Sequence, residues 1–193
     1  MTNAGSGALR VAGIAGSLRG GSYNRALLRA AAELAPPEME IDVLEIAGVP
    51  LFDADLEAGG DPPAVAELKR RIAAADGLLI AAPEYNHGVA GVTKNVVDWL
   101  SRPPRASVLD RLPVGVMGAS PGRTGTARGQ SQLRQAFVFT NSFCLPQPEV
   151  LVAAAHEKFD EEGRLTDEPT RNHLRKFLEA FAGWVRLHRS GRP

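Results

Sequence analysis

The sequence has few of the features that mark specialised classes of protein. Its single cysteine, Cys144, cannot form an internal disulfide bond, which excludes a disulfide-stapled secreted domain. No apolar run approaches the roughly 20 residues that span a bilayer, and the small, polar residues 1–8 do not resemble a signal or transit peptide. The 22 Lys and Arg balance the 22 Asp and Glu, so net charge does not favour nucleic acid or a membrane as a partner. We therefore expect a soluble, cytoplasmic protein.

The composition is that of an ordinary globular protein. Apolar residues make up 44% of the 193 positions, which is enough for one hydrophobic core. No internal repeat or linker divides the chain, so we expect a single domain over residues 1–193, with residues 1–8 and 190–193 as flexible tails. His156, His173 and His188 lack the spacing of metal ligands, and we expect no metal site.

Strand-like and helix-like stretches alternate along the chain. Apolar runs predict five strands, over residues 9–15, 39–46, 77–82, 112–119 and 149–152. Apolar residues at helical spacing predict helices over residues 25–34, 64–75, 89 to about 101, 126–139 and 168–188. Residues 47–63 and 83–88 are predicted to be loops. This alternation predicts an α/β fold with a parallel sheet and helices on both faces.

Three of the predicted loops share an unusual composition. The loops that leave the first, third and fourth strands are rich in Gly, Ser, Asn and Pro. In open sheets of this type the ligand binds at the carboxyl ends of the strands, at the point where the strand order reverses. A strand order of 2-1-3-4-5 places these three strands side by side. We therefore predict that all three loops surround one ligand.

The first of these loops has the composition of an anion site. It joins a buried strand to a helix for which Asn24 suits the cap position, and the first N–H groups of a helix lack partners. Donor groups surround this helix start, on Ser17, Arg19, Ser22 and Asn24. They suit a terminal phosphate with three oxygens. The alternative is an ordinary surface turn, in which glycine and serine are also common.

Several known phosphate loops are excluded by this sequence. The glycine spacing after Gly13 is not that of a dinucleotide-binding fingerprint, and the loop lacks the Gly-Lys-Ser/Thr end of a P-loop. The loop also contains no cysteine, which excludes a phosphatase with a thiolate nucleophile at this position.

Three stretches resemble the NAD(P)H-dependent FMN reductases of flavodoxin-like fold, a family that includes quinone, chromate and azo reductases. The stretches are Gly16–Arg19 with Ser22 and Asn24, Pro83–Asn86 with Lys94–Asn95 and Asp98–Arg102, and Gly125–Arg134. The similarity runs from about Leu9 to the final helix, and the second stretch is the most specific. The resemblance implies a flavodoxin-like five-stranded sheet of order 2-1-3-4-5 and a bound FMN.

The resemblance also implies which residues hold the FMN. The phosphate would be bound by the first loop, through Ser17, Arg19, Ser22, Tyr23 and Asn24. The ring would be lined by the second loop, through Pro83, Glu84, Tyr85 and Asn86. The third loop would close the other side, through Ser120, Pro121, Gly122 and Gly125. For Glu84 the alternative is a solvated carboxylate, because hydride transfer to a flavin needs no acid from the protein.

Charge is distributed unevenly, and this bears on the nicotinamide nucleotide. Residues 30–68 contain many acids and no Lys or Arg, whereas residues 99–135 contain one acid, Asp110, and six arginines. NADPH carries a pyrophosphate and a 2′-phosphate, which we expect to lie toward these arginines. Arg123, inside the third loop, is the candidate of choice, and the alternative is a subunit contact or a solvated side chain. His87 is a second substrate candidate; its alternative is a loop histidine without catalytic duty.

These features predict an enzyme that uses NADPH or NADH to reduce small acceptors such as quinones, azo compounds or chromate by way of bound FMN. The alternative is a flavodoxin-like electron carrier without its own nicotinamide site. Such carriers tend to be strongly acidic, whereas this chain is neutral. The resemblance further implies a homodimer or homotetramer, with the helix that contains Trp99 at a subunit interface. Arg128 and Glu149 are candidates for a further subunit contact, and we expect no nucleic acid or membrane partner.

Overall fold

A computed structural model describes residues 8–189 of the chain, and the tails predicted at either end lie almost wholly outside these residues. The strands are β1 (Leu9–Ala15), β2 (Met39–Leu44), β3 (Gly77–Ala81), β4 (Glu84–Tyr85), β5 (Gly88–Val89), β6 (Pro113–Ala119), β7 (Phe143–Cys144) and β8 (Val150–Val152). The α-helices are α1 (Tyr23–Glu33), α2 (Ala54–Ala58), α3 (Pro63–Ala73), α4 (Gly91–Leu100), α5 (Ala127–Phe139) and α6 (Glu168–Arg189). A 3₁₀ turn covers Ala155–Glu157.

The main sheet is parallel, and its strand order is β2-β1-β3-β6-β7, with β8 also paired to β6. This confirms the predicted parallel sheet and the adjacency of the first, third and fourth predicted strands. The predicted fifth strand differs in detail, because two short strands share that edge. β7 pairs with the start of β6 and β8 with its end. Pro146 and Pro148 lie between them, and residues without an N–H cannot continue a ladder.

Helices cover both faces of the sheet, as predicted. α1 and α6 pack on one face through Leu27, Leu28, Phe177 and Phe181, which are almost fully buried. α3, α4 and α5 pack on the other face, where the core includes Ile72, Val96, Leu133 and Phe137. Every residue of β3 is buried, as expected for a central parallel strand between two helical layers. The carboxyl ends of β1, β3 and β6 therefore meet at one edge.

The stretch predicted as a loop over residues 47–63 contains a short helix. Asp53 caps α2, and its side chain accepts a hydrogen bond from the N–H of Asp55 at 2.9 Å. None of the five residues of α2 is buried, so the sequence has no apolar periodicity there to reveal the helix. The preceding strand, β2, is also shorter than predicted and ends at Leu44.

Trp99 is fully buried within its own chain, so its side chain does not face a second subunit, and the place of its helix at a subunit interface stays a prediction. Its indole Nε1 donates to the carbonyl oxygen of Pro50 at 2.9 Å, and its ring meets the Phe52 ring edge-on at 5.0 Å between centroids. Asn95 holds the same segment, because its amide donates to Pro50 and accepts from the N–H of Phe52. Residues 50–52 therefore cover the side of α4 that carries Trp99 and Asn95.

Cys144 lies in β7 and is half-buried. Burial raises the pKa of its thiol, and the guanidinium of Arg134, with Nη1 3.3 Å from Sγ, opposes this shift. A thiol with a raised pKa is a poor nucleophile at neutral pH. Cys144 pairs with Val114 near the start of β6, so it lies at the opposite end of the sheet from the three polar loops.

Candidate functional site

The three polar loops meet around one cavity of about 350 Å³ at the carboxyl edge of the sheet. The cavity is lined by Arg19, Ser22, Tyr23, Asn24, Pro83, Glu84, Tyr85, Ala119, Ser120 and Pro121. These residues follow β1, β3 and β6, which are neighbours in the sheet. The convergence predicted from strand order is therefore present in the structure.

Ser22, rather than Asn24, is the N-cap of α1. Its Oγ accepts hydrogen bonds from the N–H groups of Asn24 at 3.2 Å and Arg25 at 3.5 Å. The hydroxyl hydrogen of Ser22 is left to donate to a ligand. The helix begins at Tyr23, two residues before the predicted start at Arg25.

Asn24 links the first loop to the third. Its amide nitrogen donates to the carbonyl oxygen of Ala119, and its amide oxygen accepts from the N–H of Ala119, both at 2.9 Å. The side chain is buried. Asn24 therefore positions the helix start against the end of β6, and this is a different contribution from the one predicted for it.

The first loop leaves several backbone donors free. Within residues 8–189, the N–H groups of Leu18, Gly20, Gly21 and Tyr23 have no hydrogen-bond partner. Arg19 is exposed, forms no ion pair with a described residue, and lies over the Tyr23 ring at 5.8 Å. Unpaired N–H groups at a helix start, next to two serine hydroxyls and a guanidinium, form an anion site.

The second loop, predicted as a polar loop over residues 83–88, contains a small β-hairpin. β4 and β5 pair antiparallel, and only two residues, Asn86 and His87, connect them. Both have positive φ, of 52° and 62° respectively. This is the geometry of the two-residue turn that matches strand twist, and asparagine favours it. The hairpin brings Tyr85, 60% exposed, to the mouth of the cavity.

The Glu84 carboxylate is held by α5, so its interpretation as a solvated group is wrong. Its Oε2 accepts hydrogen bonds from the N–H groups of Arg128 and Gly129, each at 2.9 Å. Its Oε1 lies 3.9 Å from a guanidinium nitrogen of Arg128, and only 8% of the side chain is exposed. A carboxylate at this place satisfies orphan donors of the first helical turn and complements the helix dipole.

The third loop is fixed by its own polar contacts and by one glycine. The Oγ of Ser120 accepts from the N–H of Gly122 at 3.1 Å. Gly125 has a φ of 60°, and a Cβ there would lie 2.8 Å from the carbonyl carbon of Leu151. Gly125 thus allows the loop to pack against β8. Arg123 is exposed and forms no ion pair with any residue in the described range.

The predicted residues divide into those that line the cavity and those that do not. Ser17, Asn86, His87, Gly122, Arg123 and Gly125 are absent from the lining. Ser17 lies beneath the first loop, where its Oγ accepts weakly from the N–H of Arg19 at 3.4 Å. Asn86 and His87 are at the hairpin tip, and the other three belong to the third loop beyond Pro121.

Two contributors to the site were not identified from the sequence. Ala119 lines the cavity and holds Asn24, and its place as the last residue before the third loop was a usable signal. Thr93 is fully buried in α4, and its Oγ1 donates to the carbonyl oxygen of Gly16 at 3.2 Å. A Cβ on Gly16 would lie 1.9 Å from the Oγ1 of Thr93. Gly16 is therefore required by packing against α4.

The fold and the site together define a flavodoxin-like α/β protein with an anion-binding loop beside an open slot. Comparison with known proteins gives the family. The sequence pattern of the family described as NADPH-dependent FMN reductase matches residues 9–157. The chain belongs to this family of oxidoreductases, which confirms the resemblance stated above.

Individual relatives agree with this assignment. The chain is 48% identical to an NAD(P)H-dependent FMN reductase of Pseudomonas aeruginosa over 178 residues, which cover 92% of this chain and 96% of the relative. It is 41% identical to a 2-hydroxy-1,4-benzoquinone reductase of a Burkholderia species, with coverage of 94% and 99%. Among solved structures, the flavoenzyme NAD(P)H:(acceptor) oxidoreductase FerB of Paracoccus denitrificans matches with a TM-score of 0.85 and 34% identity, covering 93% of this chain and 98% of that one.

Within residues 8–189, none of the helices has the length and apolarity that crossing a membrane requires. The same range contains no cluster of three or more His, Cys, Asp or Glu that is arranged to hold a metal ion.

Proposed function

We propose that this chain is an NAD(P)H-dependent reductase that holds FMN in the cavity between its three loops and reduces small acceptors there. The observation that carries the proposal is the group of N–H donors beside Ser22 and Arg19 that have no partner among residues 8–189. Bound FMN supplies a ring that accepts a hydride from a nicotinamide and passes electrons to an acceptor. The relatives support this reading, because they are named FMN reductases and quinone reductases.

The residues fit FMN. The loop donors suit its phosphate, which is terminal and offers three oxygens. Pro83 and Tyr85 would flank the ring from the hairpin side, and Ser120 and Pro121 from the other side. Gly20 leaves open space, since a Cβ there would meet no atom of the described residues within 4 Å. No protein acid or base is required at the ring, and the one carboxylate in the lining, Glu84, is already held by α5.

The first test of this proposal is the cofactor content of the purified protein. We expect a yellow protein that carries about one FMN per chain after reconstitution, because the anion site suits a terminal monophosphate, which FAD does not present. Acid extraction followed by chromatography beside FMN and FAD standards measures this. Recovery of FAD, or of no flavin after incubation with excess FMN, would contradict the proposal.

A second test is reduction of the bound flavin. NADPH should bleach the flavin within seconds without a partner protein, which an electron carrier cannot do.

Arg123 is the candidate for the 2′-phosphate of NADPH. It lies in the third loop two residues after Pro121 of the cavity lining, is exposed, and forms no ion pair within the described part of the chain. We expect Arg123→Ala to raise the Michaelis constant for NADPH several-fold and that for NADH much less, because a lost charge–phosphate contact mostly weakens binding. Steady-state kinetics with both nucleotides measures the difference. Equal changes for NADPH and NADH would remove this role from Arg123.

Nicotinamide and acceptor are proposed to use the open side of the cavity in turn. Tyr85 lies exposed at this side, and His87, exposed at the hairpin tip two residues further on, is either a substrate contact or a loop histidine without catalytic duty. If both use one side in turn, double-reciprocal plots of rate against nucleotide concentration at several acceptor concentrations should be parallel lines.

We further propose a cytoplasmic homodimer or homotetramer. Because Trp99 is buried, the support comes instead from large apolar side chains that the chain leaves exposed, Leu51 at 81%, Val138 at 81% and Phe139 at 91%. The guanidinium of Arg128 lies 3.9 Å from the carboxylate of Glu84 in its own chain. An ion pair with Glu149 of a second copy would therefore use a guanidinium that Glu84 already contacts. Light scattering should give at least twice the chain mass, and a monomer at micromolar concentration would contradict the proposal.

A further inference from the structure

The N-terminus of α5 is capped from a distance. Thr126 occupies the N-cap position, but its side chain makes no capping hydrogen bond, and its Oγ1 accepts instead from the amide of Gln130 at 2.9 Å. The N–H groups of Arg128 and Gly129 are satisfied by Glu84, which precedes them by more than 40 residues. A cap supplied by another loop holds that loop to the helix as well as stabilising the helix.

Two further contacts lie along the same junction. The Oε1 of Gln132 accepts from the N–H of Val89 at 3.1 Å. Gly129 allows close approach, since a Cβ there would lie 3.1 Å from the carbonyl oxygen of Gly88. The β4–β5 hairpin therefore rests on the first turns of α5, and Glu84 provides the two shortest hydrogen bonds between them.

This junction connects two walls of the cavity. The hairpin carries Tyr85 on one side, and the loop that leads into α5 carries Ser120 and Pro121 on the other. The width of the slot between these walls depends on how the hairpin lies against α5. Outside the junction, within residues 8–189, the hairpin side chains of Tyr85, Asn86 and His87 make no hydrogen bond to the rest of the protein.

We propose that Glu84 is a positioning residue that sets the width of the flavin slot by accepting the two N–H groups of α5. This inference rests on the proposed function, because it assigns the slot to the FMN ring. The geometry of the two hydrogen bonds carries the effect, and the charge of the carboxylate is secondary. Glutamine can place one oxygen where Oε2 lies, whereas aspartate keeps the charge but is one methylene shorter.

The test compares three substitutions at Glu84 in the full chain. Amide hydrogen exchange by NMR, without FMN, reports on the N–H groups of Arg128 and Gly129. We expect exchange there to be at least ten-fold faster in Glu84→Ala and Glu84→Asp, and near wild type in Glu84→Gln. Glu179, an exposed glutamate of α6, provides matched controls, and Glu179→Ala and Glu179→Gln should change neither amide.

FMN affinity, measured by quenching of flavin fluorescence, is the second readout. We expect the dissociation constant to rise about ten-fold in Glu84→Ala and Glu84→Asp, and less than three-fold in Glu84→Gln. If Glu84→Ala does not fold, the aspartate and glutamine variants still decide between geometry and charge. An aspartate variant that behaves as wild type, or a glutamine variant as poor as alanine, would overturn the proposal.

The two readouts separate the failure of this inference from the failure of the proposed function. Faster exchange with unchanged FMN affinity would show that Glu84 docks the hairpin but does not set the slot, which overturns the inference alone. Wild-type protein that binds no FMN would overturn the proposed function and the slot assignment together, whatever the exchange rates.

Discussion

Replacement of Gly125 with alanine is expected to lower the free energy of unfolding by about 3 kcal/mol or more. Two independent costs add at this position. A non-glycine residue in the left-handed region costs about 1–2 kcal/mol, and forcing atoms into a filled site costs about 1–3 kcal/mol. The Cβ would lie 2.8–3.2 Å from three backbone atoms of Leu151, and backbone in a paired strand cannot move aside as a flexible side chain can.

Urea unfolding monitored by circular dichroism measures this change, and two glycines serve as controls. Gly60 also has positive φ, of 103°, but a Cβ there meets no atom within 4 Å, so Gly60→Ala should show the backbone cost alone. Gly183 lies inside α6 with open space around it, and Gly183→Ala should stabilise the protein by about 0.5–1 kcal/mol. If Gly125→Ala lowered the free energy of unfolding by no more than Gly60→Ala does, the third loop would not be held against β8.

The Gly125 prediction also concerns the site. The resemblance assigned this residue to FMN binding, whereas the structure gives it a packing contact behind the third loop. These assignments are compatible, because a loop displaced from β8 also displaces Ser120 and Pro121 from the lining. The stability change should nevertheless be present in protein without FMN, since the close contact with Leu151 does not involve a ligand.

The core of the fold follows directly from apolar runs in the sequence. β3 and β6 are buried throughout and β1 at every residue except Arg10, so their apolar composition marks them as central strands. The short elements do not follow in this way. α2 buries no residue, and the β4–β5 hairpin depends on positive φ at Asn86 and His87, which composition does not fix. The sheet edge is split because a pair of prolines interrupts it.

The candidate site was predictable at the level of loops but not of individual contacts. That three polar loops converge follows from strand order, and nine predicted residues do line the cavity. Asn24 was assigned to the ligand as a donor group at the helix start, and Glu84 through the family resemblance. Their partners, Ala119 and the first turn of α5, are distant in sequence and are backbone groups, which carry no sequence signal. The same reason explains why burial of Trp99 by residues 50–52 was missed.

Arg19→Ala is expected to weaken FMN binding by about 1.5–3 kcal/mol, the scale of a hydrogen bond to a charged group, which corresponds to a dissociation constant about 10-fold to 150-fold higher. Arg19 lines the cavity and has no ion-pair partner among the described residues, so its charge is available to a phosphate. Fluorescence titration of the apoprotein with FMN measures the change. Arg29, an exposed arginine later in α1, provides the matched control, and Arg29→Ala should bind FMN as the wild type does.

Riboflavin distinguishes a phosphate contact from a general effect on the slot. It has the ring of FMN but no phosphate, so its weaker binding should be the same in wild type and Arg19→Ala. Arg19→Lys should recover part of the affinity, because lysine keeps the charge and loses the two-pronged geometry. If Arg19→Ala bound FMN as tightly as wild type, the phosphate would be held by Ser22 and the free N–H groups of the loop alone. If it lost riboflavin affinity equally, Arg19 would act through the Tyr23 ring on which it lies, and not through the phosphate.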